Sequence, residues 1–117
     1  MNTATTQKIT AKQLVVTARE LNVNEPGECD SYTFYCWELP NGMVWIQSET
    51  TNDWFFDSRD EIEPNGLAST ESVEETGETK EFLLKDLESG IHGSIREYGE
   101  DSVNLDLIRQ LLPEFKV

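Results

Sequence analysis

The chain has 117 residues, 37% hydrophobic and 27% charged, with 23 acidic against 9 basic side chains and a formal charge of −14. That length predicts one domain, residues 1–117, with a real core, because roughly two-thirds of the unfolded surface can be buried at this size. The acidity argues against direct binding to nucleic acid or an anionic membrane, and no apolar run approaches the ~20 residues of a membrane span.

Taken in chain order, Met1 to Gln7 is polar and does not resemble a secretory leader, which favours a cytoplasmic protein. Thr10-Ala11-Lys12-Gln13 reads as a capping box, and Ala11, Leu14, Val15, Ala18 and Leu21 follow at helical spacing. An N-terminal helix is therefore expected, stopped by Asn22, Asn24 and Pro26-Gly27.

From Tyr32 the pattern turns to aromatic and β-branched residues. Three strands of an antiparallel meander are expected, at about residues 32–39, 43–49 and 53–57. Asn41-Gly42 signals a two-residue type I′ turn. That turn would set Leu39 opposite Val44, Trp37 opposite Ile46 and Tyr35 opposite Ser48. Phe34, Met43 and Trp45 then fall on a second, partly exposed face together with Cys36 and Glu38.

Residues 68–79 contain one large apolar residue, Val73, and read as a mobile acidic loop. Leu83, Leu84 and Leu87 mark a helix from about Lys80, with Gly90 as its end or a break. Residues 91–98 fit a strand, helix or loop equally. A last helix spans about Ser102 to Leu112, with Val103, Leu107, Ile108 and Leu111 on its apolar face and Pro113 closing it. The expected class is α+β, with the two C-terminal helices packed on the sheet.

No catalytic, cofactor or metal motif stands in the chain. Cys29 and Cys36 do not form a CxxC pair, and two reduced thiols are expected, although their spacing leaves a disulfide open. His92 is the sole histidine and reads as an exposed loop residue. Asp53, Asp57, Asp60, Glu61 and Glu63 cluster, but Phe55 and Ser58 stand where an EF-hand loop needs an oxygen ligand and a glycine. Nothing singles out a carboxylate pair for glycoside hydrolysis.

The charge itself is the informative feature. Residues 20–78 hold fifteen carboxylates against one cation, Arg59, so that this stretch carries the whole −14. Such one-sidedness points to a basic protein surface as partner. The expected function is non-catalytic: an acidic inhibitor imitating nucleic-acid charge in the basic groove of a nuclease, CRISPR effector or DNA-binding protein. Phage anti-restriction and anti-CRISPR proteins and nuclease-immunity proteins share this profile of charge and size, an analogy rather than a sequence match. The expected contacts are Glu49, Asp53, Asp57, Asp60, Glu61 and Glu63, with Trp45 or Trp54 as apolar anchor. The alternative is an accessory or assembly factor that docks through the exposed aromatic hairpin face, its acids serving solubility.

Overall fold

The computed structural model describes residues 7–21, 29–48, 53–63 and 68–117. Five strands form one antiparallel sheet: β1 (Lys8–Leu21), β2 (Cys29–Glu38), β3 (Val44–Ile46), β4 (Trp54–Phe56) and β5 (Ala68–Leu83). Two helices follow, α1 (Leu84–Tyr98) and α2 (Leu105–Leu111). The spatial order is β4-β3-β2-β1-β5, which puts the first strand inside the sheet and the last at its edge.

The expected N-terminal helix is therefore replaced by β1. Leu14 and Ala18 of the expected helical stripe also fit a strand pattern in which Leu14, Val16 and Ala18 are all fully buried on one face, while Ala11 is buried on the other. The β-branched residues Ile9-Thr10 and Val15-Val16-Thr17 favour the extended form. Hydrogen bonding to β2 on one side and β5 on the other then satisfies its backbone.

The expected three-stranded meander is present as β2, β3 and β4, but within five strands and in a different register. Trp37 pairs with Trp45 and Glu38 with Val44, one residue away from the expected alignment. Pro40 is the cause. Its fixed negative φ suits the first central position of a type I turn, and among these residues only Gly42 takes a positive φ, +92°. The loop is thus the three residues Pro40-Asn41-Gly42, closed by Leu39 N–H to Met43 O at 2.8 Å and Gly42 N–H to Leu39 O at 2.9 Å. A one-residue slip reverses the faces of β3. Met43 and Trp45, expected to be partly exposed, are buried to 1% exposure beneath the helices.

Residues 68–79, read as a loop, belong to β5. Apart from Ala68 and Phe82, this strand buries almost nothing. It is held by its backbone ladder to β1 and by facing charges: Arg19 with Glu71 at 2.9 Å, and Lys12 with Glu75 and Lys8 with Glu81 at 4.0 Å each. Two bulges interrupt the ladder, one around Gly77, whose φ is +87°. Cys29 and Cys36 both lie on β2. Cys36 is a buried free thiol.

Each face of the sheet has its own core. On one, Ala11, Leu39, Met43, Trp45, Phe55 and Phe82 pack against Leu87 and Ile91 of α1 and Ile108 of α2. Trp45 stacks on Phe55 at 5.8 Å and meets Phe82 at 5.0 Å. Residues 91–98 are part of α1, which runs through both Gly90 and Gly93. Gly90 is required by close approach: a Cβ there would lie 2.6 Å from Asp53 Oδ2. That oxygen accepts the indole N–H of buried Trp45 at 3.0 Å, while Asp53 Oδ1 accepts Ser48 N–H at 3.1 Å.

On the other face, Leu14, Val16, Cys36 and Val44 are covered by Ile62, with Phe34, Ile46, Phe56 and Val73 around them. Ile62 belongs to the connection from β4 to β5. Those strands occupy opposite edges, so the connection must cross the sheet. It does so over the face that carries no helix, and Ile62 O accepts the Thr70 hydroxyl of β5.

Two outcomes follow from this packing. Ile62→Ala should cost about 2–4 kcal/mol in urea denaturation and speed alkylation of Cys36, whose thiol burial pushes up to about 12, with Glu38 adding to the shift. Gly90→Ala should destabilise despite a helix-propensity gain of about 1 kcal/mol, because it forces Asp53 off the Trp45 indole. In an Asp53→Ala background the same substitution should become neutral or stabilising, as a double-mutant cycle will read.

A candidate acidic interface

The crossing segment is secured by Arg59, the one cation of residues 20–78. Its Nε donates to Glu38 Oε2 at 2.8 Å and its Nη2 to Glu38 Oε1 at 2.6 Å, a two-pronged bond; Nη2 also donates to Glu75 Oε1 at 3.0 Å. Glu38 is on β2 and its side chain is 15% exposed, so Arg59 neutralises a largely buried carboxylate while reaching the edge strand. The bond from Arg59, with the charge of Lys12, holds the Glu75 carboxyl below the ordinary carboxylate range.

Charge is thereby matched on the β1–β5 side. Lys8, Lys12, Arg19 and Arg59 face the acids of β5, and Lys80 lies over the rings of Phe82 at 5.0 Å and Trp37 at 5.9 Å. The opposite end differs. There an open groove of about 770 Å³ is lined by Asp57 and Glu61 from the crossing segment and by Glu100, Asp101 and Asp106 from the end of the chain, with no lysine or arginine in its lining. The side chain of Asn104 caps α2 by accepting Leu107 N–H at 3.2 Å and donates to Asp57 Oδ2 at 3.3 Å, which ties the two acidic segments together. Asn41 anchors α2 from below, donating to Leu107 O at 2.7 Å.

The expected contact residues are dispersed. Asp57 and Glu61 line the groove. Glu63 and Trp54 line a smaller depression beside it, and Asp60 is exposed on the turn between. Asp53 is engaged with Trp45 and Ser48, and Trp45 is core, so neither presents a free contact. Glu49 lies outside the described residues. Phe34, half-buried, packs against the second core, so with Met43 and Trp45 covered the expected aromatic hairpin face is not an open surface.

Glu100, Asp101 and Asp106 line the groove but are not among the expected contacts. Three acids within seven residues were visible, but only the fold brings them to Asp57 and Glu61. His92 is not a loop residue: it lies on α1, half-buried, stacked on Phe115 at 4.7 Å and 3.6 Å from Glu88. Among the described residues no three histidine, cysteine or acidic side chains converge to hold a metal ion, and no helix is long and apolar enough to cross a membrane. Comparison with known proteins supplies no relative: no protein family, curated protein or solved structure matches the chain.

Arg59→Ala should destabilise by about 1–2 kcal/mol, a value discounted for the 35% exposure of the arginine side chain. A carboxyl whose pKa is lowered by folding adds stability above its unfolded pKa and loses it as pH falls through the folded one. The Glu75 contribution is thus complete at neutral pH and is lost below its ordinary value of 4.5. Urea midpoints measured from pH 7 to pH 3 should therefore fall less steeply in Arg59→Ala than in the parent chain.

Proposed function

We propose that this protein acts without chemistry of its own, by binding the basic surface of another protein. In its most concrete form it is an inhibitor that imitates nucleic-acid charge and occupies the basic groove of a nucleic-acid-handling protein, as anti-restriction, anti-CRISPR or nuclease-immunity proteins do. One observation carries this reading: two segments some forty residues apart contribute five carboxylates to a single groove with no cation in its lining.

Evenly dispersed acids would serve solubility. Here the cations of the chain's first nineteen residues are committed to β5, and the negative charge is left concentrated at the other end. Four of the groove acids sit on short turns and Asp106 in the first turn of α2, supported by Arg59–Glu38 and Asn104–Asp57, so the array is arranged before any partner arrives. Preorganised charge avoids the ordering cost of a flexible tail. It also steers a cationic surface during approach, which makes association fast and salt-sensitive.

Affinity capture from the native host identifies the partner, and two measurements then decide. Affinity should fall steeply as ionic strength rises past the range where the screening length is ~10 Å. Reversal of Asp57, Glu61, Glu100 and Asp101 to lysine should abolish binding while thermal unfolding remains cooperative. Undiminished binding by that folded variant would sink the reading.

A further inference from the structure

Beside the acidic groove, and sharing Phe55, Phe56 and Ser102 with it, lies a depression of about 290 Å³ whose walls include Trp54, Phe56, Tyr98 and Glu63. Trp54 comes from edge strand β4 and Tyr98 from the last turn of α1. Their rings meet edge to face, centroids 6.0 Å apart and planes at 77°. The indole N–H donates to the tyrosine hydroxyl, so the polar tips of both rings satisfy one another. Two π systems at nearly a right angle form a corner. Tyr98 is 44% exposed, one of only three large apolar or aromatic side chains so open among the described residues.

From this geometry we infer that the depression receives an arginine side chain of the basic partner, an inference that rests on the function proposed above. Three properties select that occupant. Aromatic faces carry negative potential and attract a cation placed over them, Trp most strongly. A guanidinium is flat, so it stacks on one wall of the corner while its edge remains free to bond a carboxylate, here Glu63. The adjoining groove acids Asp57, Glu61, Glu100 and Asp101 add a field that draws cations. An apolar side chain would instead desolvate Glu63 without giving it a counter-charge. An ammonium fits the charge but offers no plane to stack. The groove thus supplies long-range attraction, and the corner supplies register for one inserted residue.

The test uses the full chain with two probes of equal charge, nona-arginine and nona-lysine peptides, at low salt. Nona-arginine should bind more tightly, and the Trp54 indole resonance of the ¹⁵N-labelled protein should shift on its addition. Trp54→Leu and Tyr98→Leu should each weaken nona-arginine binding roughly three- to tenfold, to the level of nona-lysine, with nona-lysine itself little changed. An unmoved indole resonance in the parent chain, or equal affinities for the two peptides, overturns the inference even if a variant fails to fold. Binding lost on lysine reversal of the groove acids yet indifferent to Trp54 and Tyr98 removes the corner and leaves the proposed function standing. Absence of binding by either peptide removes both.

Discussion

Because β4 and β5 lie on opposite edges of one sheet, the chain between them has to cross its full breadth, and the remaining structure depends on how that crossing is held. Helices cover the other face. Without the crossing, Leu14, Val16, Cys36 and Val44 would open to water, and Ile62 is the residue that closes over them. Buried apolar contact alone does not fix a short irregular segment in direction. Arg59 does, by gripping Glu38 on β2 with two bonds and Glu75 on β5 with a third. The lone cation of a long acidic stretch stands where two carboxylates from different strands most need one.

The same crossing divides the molecule electrically. On the β1–β5 side, acids and bases alternate across a strand pair, each exposed contact weak but the sum close to neutral. At the far end, the residues just before and after Arg59 meet the chain's final acidic turn. A formal charge of −14 is therefore not a uniform cloud, since cations of the first strand have been withdrawn to one side. Carboxylates brought together in this way repel, and the cost is met by the hydrogen-bonded supports beneath them, Asn104 to Asp57 among them.

What could be read from the sequence was mostly local. The hairpin, the third strand and both C-terminal helices carry their own turn and periodicity signals. The register of the hairpin does not, because Asn41-Gly42 and Pro40 point to different turns and the proline decides. In β1, Leu14 and Ala18 satisfy a helix and a strand alike while Ala11 falls on the opposite strand face, and only pairing on both sides chooses. β5 carries almost no apolar signal, and its partner is the basic strand at the other end of the chain. Charge density singles out Asp57, Glu61 and Glu63 in the sequence, and the fold sets them along the groove and the depression beside it. The one-residue slip turns Trp45 from an outward face into the core, and Asp53 is taken up by bonding its indole. Glu100, Asp101, Asp106 and Tyr98 reach the groove and the adjoining depression through tertiary packing, for which a linear sequence has no signal.

Lys8 pairs with Leu83, so the first strand made finds its second neighbour only when most of the chain exists. Closing so long a loop is entropically costly, and such topologies fold slowly. Until then β1 has one open edge, a template on which a neighbouring nascent chain can pair. The residues synthesised in that interval, 22–67, carry most of the protein's net negative charge. Incomplete copies therefore repel one another during the period when their edges are most vulnerable to pairing.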